Sequence, residues 1–440
     1  MLTVSPTWSA VRTAARPRRM GTVRSVVGLS LEVIGLPVAV GDLVEVTLDG
    51  GRIVGAEVVA VDEGVARCMP LGSLEGLRVG APVHSTGGPL SVPVGAGLLG
   101  RVLDGVGRPM DGKGPVRATA RVPVSGHAPS ALERLRVDTP LELGVRVLDT
   151  LVTVGRGQRI GLFAGSGVGK SSLLSMIAHG TEADVSVISL VGERGREVRE
   201  FLEDDLGPEG LARSVVVIAT SDQPPVVRKQ AAFTATRIAE HFRDGGQDVV
   251  LMMDSLTRTA MAQREIGLSV GEPPATRGYP PSVFSMLAML LERAGTGASG
   301  SVTGIYTVLV DGDDHNEPIA DAARSILDGH VVLDRKLAVQ GHYPSVDAVA
   351  SISRVASRVT NPEQKKLAQT LRAAMAAQRQ AQDLIDVGAY VPGSNPMVDA
   401  AVTNTDAIND FLRQRMDDVT PAAEAWQRLD NLVAAMGLKA

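Results

Sequence analysis

Cysteine is nearly missing from this chain: Cys68 is the single cysteine among 440 residues. One thiol cannot close a disulfide within the chain, so the fold must rest on its core, and a reducing, cytoplasmic compartment is the expectation. In its apolar context Cys68 reads as a small buried hydrophobe. Aromatic residues are also scarce, at 3% of the chain, and none lies between Trp8 and Phe163. Single-stranded nucleic acid is gripped by stacking bases on aromatic side chains, so the chain before Phe163 offers no platform for it. Positive charge is not in excess either: 44 Lys and Arg stand against 49 Asp and Glu, a net charge of −5. That balance argues against a general nucleic-acid binder. No apolar run reaches the roughly 18 residues that a membrane-spanning helix needs. Arg12, Arg16, Arg18 and Arg19 sit in the first 20 residues, but no apolar stretch follows to make a signal peptide. This N-terminal segment reads as a solvated tail.

What the chain has in quantity is hydrophobic side chains (44%), glycine (48 residues) and turn signals, enough for a sizeable core divided among two to four domains. After the tail (1–20), residues 21–90 carry short β-branched runs, among them Thr22–Val27, Leu43–Leu48, Arg52–Val59 and Gly64–Met69. Asp49-Gly50-Gly51 and Asp62-Glu63-Gly64 mark turns between them, and the spacing predicts a small barrel or sandwich. Gly97 to Gly114 reads as a turn-rich passage into a second domain (91–360). From about 150 to 340, apolar runs alternate with helical patterns: strands are expected at Val185–Val191, Ser214–Thr220, Asp248–Asp254, Val302–Val310 and His330–Leu333, with a helix at Pro225–Arg243. Continuous apolar strands between helices predict a parallel sheet covered on both faces. Residues 361–440 read as helical. Asn361-Pro362 is a cap followed by a first-turn proline, and Leu367, Leu371, Met375, Leu384, Val398, Val402, Ile408, Phe411, Leu412, Met416, Trp426, Leu429, Leu432, Val433 and Met436 mark packing stripes.

The chemistry concentrates at Ala164-Gly165-Ser166-Gly167-Val168-Gly169-Lys170-Ser171-Ser172, which follows the apolar run Arg159–Phe163 and opens a helix at Ser171–Ala178. Strand, glycine-rich turn and helix N-terminus together cradle phosphates with backbone N–H groups. Lys170 can reach the β- and γ-phosphates of a nucleotide, and the Ser171 hydroxyl can ligate Mg²⁺. Ala164 stands where the strict pattern begins with glycine. Asp254 ends an expected buried strand, where it can hold Mg²⁺ through water or, alternatively, cap the next helix. Glu193 is the first acid after the strand Val185–Val191. It can orient an attacking water, or it can be one half of a surface ion pair; spacing does not decide between the two. Phosphoryl transfer also calls for an arginine at the γ-phosphate. Spacing alone does not choose one, although Pro344 to Arg354 marks a candidate.

Taken together, Ala164–Ser171, Gly192-Glu-Arg-Gly-Arg-Glu197, Asp254-Ser-Leu-Thr-Arg258 and Pro344–Arg354 resemble the rotary ATPase α/β superfamily. Glu272–Phe284 and Gly388–Asn395 resemble its type III export branch, most closely the flagellum-specific ATP synthase family, in which Ala at the position of Ala164 is usual. The resemblance implies an α/β P-loop NTPase core, a parallel sheet with helices on both faces, flanked by an N-terminal β-barrel and a C-terminal helical domain. It implies ATP hydrolysis with Mg²⁺ in a homohexameric ring. Ala164 to Ser172 would bind nucleotide, with Glu193 the catalytic carboxylate and Arg194 and Glu197 in its shell. Ser171, Asp254 and Glu197 would serve the metal side, Arg258 would lie near the γ-phosphate, and Arg354 would be an arginine finger for the neighbouring copy. The implied setting is the inner face of the membrane at a protein-export gate. The implied partners are a stator-like regulator on the N-terminal tail, a central stalk protein, export-gate membrane proteins and chaperone–substrate complexes, with no nucleic acid. Ala66–Leu77 leans towards the flagellar system over the injectisome. Rival readings are a hexameric RNA translocase, a catalytic subunit of a true rotary synthase, and a non-catalytic ring subunit. Glu193 argues against the last, whose relatives carry Gln there.

Overall fold

A computed structural model describes residues 19–310 and 317–438; the expected regulator-binding tail lies almost wholly outside them. The chain divides into two units. One contains the residues up to Ser91, together with Pro224–Val226 and Glu265–Pro273, and the other contains the remainder.

The first unit is built on a closed six-stranded barrel: β1 (Met20–Val27), β2 (Ser30–Ile34), β3 (Asp42–Thr47), β4 (Ile53–Asp62), β5 (Val65–Pro70) and β6 (Pro82–Pro89), in the order β1-β2-β5-β4-β3-β6. Alternation makes the barrel. Val23, Leu31, Val33, Val44, Val46, Val58, Cys68 and Val83 point inward and are buried; polar neighbours such as Glu32, Glu45 and Arg67 remain more exposed. Closure pairs every strand and leaves no open edge. Spacing alone had left barrel or sandwich open and had not marked β2 or β6; the barrel that the resemblance implied is the one that forms. Cys68 is a packed core side chain, and burial pushes its thiol up to about 12.

β7 (Ser91–Val94), of which Val92 to Val94 belong to the second unit, pairs with β9 (Ala120–Pro123) as a small ribbon. The centre is a nine-stranded sheet containing β8 (Arg101–Asp104), β10 (Arg159–Ala164), β11 (Val185–Val191), β12 (Ser214–Ala219), β13 (Asp248–Asp254), β14 (Gly295–Thr296), β15 (Ser301–Leu309), β16 (Gly329–Val332) and β17 (Ile352–Ser353). The order is β17-β16-β10-β15-β13-β11-β12-β8, with β14 attached to β15. All pairings are parallel except those of β14 and β17. Every residue of β11 and β12 is buried, as strands covered on both faces require. One correction concerns Gly97–Gly114. Read as a turn-rich passage, this segment contributes β8, whose four residues pair with β12. Glycine on both sides and a length of four hide such a strand from periodicity.

The C-terminal helices Pro362–Asp386, Pro396–Thr403, Thr405–Leu412 and Ala422–Ala435 share the apolar core of the sheet through Leu371, Ala401, Phe411, Leu429 and Val433. Asn361 caps the first of them: its side chain accepts from Gln364 N–H at 2.8 Å, and Gln364 Oε1 accepts in return from Asn361 N–H at 3.0 Å. The packing stripes read from the sequence run too far. Leu384, Val402 and Met416 are exposed: the first two because helical spacing continues beyond the region that is packed, and Met416 because the helix Thr405–Leu412 ends before it. Among the described residues no helix is long and apolar enough to cross a membrane.

Candidate active site

Parallel order places the C-terminal ends of β10, β15, β13 and β11 side by side, where open α/β sheets bind their ligands. A cleft of about 670 Å³ opens there. Its lining includes Ala164, Gly165, Ser166, Gly167, Gly169, Lys170, Ser171 and Ser172 from the glycine-rich turn, and Glu193, Arg194, Glu197, Asp254 and Arg258 from the neighbouring strand ends. Val168, the remaining residue of the turn, is buried beneath it and is held by Ser345, whose Oγ donates to its carbonyl at 2.5 Å.

The turn folds as it does because of its glycines. Gly169 has φ +92°, and a Cβ there would stand 3.1 Å from the Tyr343 ring; only glycine allows both the conformation and the approach. The helix Lys170–Gly180 then starts directly at the turn, so its N-terminal N–H groups face the cleft.

Lys170 is the centre of the site's electrostatics. Its Nζ lies 2.6 Å from Asp254 Oδ1 and 3.4 Å from Glu193 Oε1. Burial opposes its charge, but the two carboxylates outweigh that and hold its pKa above the usual lysine value. Asp254 is further fixed by the Thr307 hydroxyl on β15, which donates to Oδ1 at 2.7 Å. The alternative of Asp254 as a helix cap falls away, since Ser255 takes that role: its Oγ accepts from Arg258 N–H at 3.2 Å.

Glu193 is not a surface ion-pair member; its side chain is 12% exposed. Burial raises its pKa above the ordinary carboxylate range, Asp254 and a hydrogen bond with Glu197 add to the rise, and Lys170 and Arg258 oppose it. Arg258 Nε lies 3.8 Å from Glu193 Oε1 and packs so closely over Gly192 that a Cβ there would meet Arg258 Cδ at 2.6 Å. Glu197 and Arg194 form an exposed pair at 3.4 Å on the rim.

Arg354 stands apart. It follows edge strand β17, two strands from β10, and its Nη2 donates to the Arg324 carbonyl at 3.3 Å. Sequence reading missed Tyr343, Thr307 and Ser345. Tyr343 adjoins the Pro344 segment and could have been marked as an aromatic in a chain with few of them. Thr307 and Ser345 carry no local signal.

Oxygen donors for a hard cation gather in the cleft, with the Ser171 hydroxyl and the Asp254 and Glu197 carboxylates on one lining. Among the described residues no group of three His, Cys, Asp or Glu side chains could hold a metal alone. This donor set fits Mg²⁺, which takes one or two carboxylates and completes its shell with phosphate and water oxygens.

Comparison with known proteins matches three successive segments to family models: the beta-barrel domain of the ATP synthase alpha/beta family over residues 23–87, its nucleotide-binding domain over 144–353, and the T3SS EscN ATPase C-terminal domain over 360–431. The chain belongs to the ATP synthase alpha/beta family. The flagellum-specific ATP synthase of Pseudomonas aeruginosa is 50% identical over 97% of this chain and 95% of that protein. The type 3 secretion system ATPase of Xanthomonas euvesicatoria is also 50% identical, over 93% and 92%. The assembled EscN ATPase of the enteropathogenic E. coli type III secretion system has a TM-score of 0.88 at 43% identity, covering 94% of this chain and all of that one. The same EscN in complex with its central stalk EscO gives 0.87 at 42% identity, again over 94% of this chain. This family member is therefore an ATPase of the export branch, and flagellar and secretion relatives stand equally near it.

Proposed function

We propose that this chain hydrolyses ATP in a homohexameric ring and thereby assists type III protein export, with flagellar components as the cargo and injectisome substrates as the alternative. The observation that carries the reading is the convergence of Lys170, Glu193, Asp254 and Arg258 on one cleft behind a glycine-rich turn.

In this reading the turn N–H groups and Lys170 hold the β- and γ-phosphates, and the exposed ring of Tyr343, beside Gly169, stacks the base. Ser171, Asp254 and Glu197 hold Mg²⁺, which neutralises phosphate charge when bound. Glu193 orients and polarises the attacking water, and its raised pKa suits a group that must accept and release a proton. Arg258 sits beside Glu193 to meet charge on the γ-phosphate. Arg354 cannot serve that purpose from its own position next to Arg324, so it completes the site of an adjacent copy. The phosphoryl chemistry needs no covalent intermediate; positioning and charge carry it.

The last turn of the helix Pro362–Asp386 exposes Leu384, and the loop from it to the helix Pro396–Thr403 exposes Val387 and Val391. This apolar tip is suited to a stalk partner of the kind with which EscN was solved. A regulator on residues 1–20, membrane proteins of the gate and chaperone–substrate complexes complete the proposed setting at the inner membrane face. Against an RNA translocase stands the absence of aromatic side chains before Phe163, other than Trp8. The test is steady-state ATP turnover against oligomer size, with and without single-stranded RNA. Turnover that rises with assembly and ignores RNA supports the reading; RNA-dependent turnover would replace it.

A further inference from the structure

A hydrogen bond ties the lining of the nucleotide cleft to the segment that joins two of the C-terminal helices. Gln414, two residues beyond the helix Thr405–Leu412, donates its backbone N–H to the Tyr343 carbonyl at 2.9 Å. Tyr343 in turn has its ring against Gly169, the last residue before Lys170. Tyr343 is itself exposed, and the residue on its far side, Ser345, is fixed to the phosphate-binding turn. Its main chain is therefore held from two directions: by the turn and by Gln414.

Gln414 is far more constrained than a loop residue needs to be. It is 5% exposed, and both donors and the acceptor oxygen of its side chain are engaged. Nε2 donates to Gly144 O at 2.7 Å and to Asp418 O at 2.5 Å, and Oε1 accepts from Arg146 N–H at 2.8 Å. Arg146, 3% exposed, grips the same segment. Its Nε donates to Phe411 O at 3.0 Å, and its Nη1 reaches Asp418 Oδ2 at 2.9 Å and Thr420 Oγ1 at 3.0 Å. Nη2 also bonds the Arg413 carbonyl. Phe411, Arg413, Asp418 and Thr420 all lie at the junction from the helix Thr405–Leu412 to the helix Ala422–Ala435. The junction is thus latched to residues 144–146 of the sheet domain, and it bonds the cleft lining at Tyr343.

We infer that Gln414 is a positioning residue for the nucleotide site, one that holds Tyr343 in its base-stacking place and couples that place to the position of the C-terminal helices. The inference rests on the reading of Tyr343 as the base platform. A ring that is half exposed gains little from packing, so its orientation is set by its backbone anchors. Removing the Gln414 side chain deletes three hydrogen bonds and frees the segment whose N–H holds Tyr343. A ligand that must then order this segment itself binds more weakly, because the ordering is drawn from its binding energy.

The experiment is a double-mutant cycle on full-length protein, with KM for ATP, kcat and the melting temperature measured for wild type, Gln414→Ala, Tyr343→Ala and the double variant. The expected result is a KM about tenfold higher for Gln414→Ala, on the scale of one or two lost hydrogen bonds, with kcat within roughly twofold. In the Tyr343→Ala background the Gln414 substitution leaves KM unchanged. Gln414→Glu retains the acceptor for Arg146 but lacks both donors, and it gives the same KM rise without a lost side-chain volume; Gln414→Met, similar in length, serves if the alanine variant unfolds. Equal KM rises in both backgrounds, accompanied by a lower melting temperature, would make Gln414 a stability residue and overturn the inference. If Tyr343→Ala by itself leaves KM unchanged, the base-platform reading fails and the inference falls with it.

Discussion

The Lys170 ammonium lies 2.6 Å from Asp254 Oδ1, in a site where the lysine side chain is 14% exposed and the aspartate 5%. This pair joins the phosphate-binding turn to the end of β13 and sets the charge that a nucleotide meets. Removing the ammonium leaves Asp254 and Glu193 facing each other, with Arg258, 3.8 Å from Glu193, the nearby positive charge. Lys170→Met is therefore expected to lose ATP turnover and also, in the absence of nucleotide, to melt at lower temperature. The cost is of order 1–3 kcal/mol, less than a fully dry pair would show because the cleft is open to water. Calorimetry of nucleotide-free protein checks the stability half and a phosphate-release assay the catalytic half.

Glu193→Gln retains shape and hydrogen bonding but cannot accept a proton. Turnover is expected to fall by about 10²–10⁴-fold, while nucleotide affinity stays within a few-fold, since binding belongs to the turn and Lys170. Titration with a fluorescent ATP analogue against single-turnover hydrolysis separates the two. A variant with normal turnover would show this chain to be a ring subunit that does not use Glu193.

Arg293 and Glu240 form a bidentate pair at 2.6 and 2.7 Å, with side chains 1% and 2% exposed. Arg293→Met removes the bidentate partner of a buried carboxylate and leaves Glu240 to Arg237 at 3.1 Å, a loss of roughly 1–3 kcal/mol. Replacing both, as Arg293→Met with Glu240→Leu, is expected to recover part of it, because no carboxylate is then buried and Arg237, 24% exposed, can turn to solvent. Urea unfolding of the two variants measures the difference.

Asp149 carries a pH dependence. Burial, opposed by N–H donors that include Leu143 at 2.8 Å, pushes its carboxyl up to about 8 from an ordinary 3.8. The folded state therefore retains a proton that the unfolded state gives up. The stability this provides is complete below about pH 4 and is lost as pH rises towards 8, with a slope of up to about 1.4 kcal/mol per unit for a single group. Asp149→Asn should flatten that fall. Denaturant midpoints at pH 6 and pH 9 are expected to differ less in the variant than in the parent; an unchanged difference would assign the dependence to other groups.

How much of this was legible beforehand follows from where each signal is encoded. The phosphate-binding turn, the central strands and the Asn361 cap are local: spacing, glycine and proline placement fix them within a dozen residues. β8 was invisible because four residues between glycines become a strand only when β12 offers an edge. Thr307 and Ser345 matter through partners 53 and 177 residues away, and no window contains both ends. Glu193 could not be told from a surface acid until β11 and β13 were paired at Leu190 and Asp254. Leu384 and Val402 were read as packed because helical spacing records which residues share a face, not whether another surface covers it.

The central claim is that a complete site needs two copies, Glu193 from one and Arg354 from the next. Mixing Glu193→Gln protein with Arg354→Ala protein tests it most directly, each being nearly inactive alone. In mixed rings some interfaces join an intact Glu193 to an intact Arg354, so turnover should rise well above the sum of the separate preparations and depend on the mixing ratio. Turnover that stays at that sum, in rings shown to exchange subunits, would contradict the shared site.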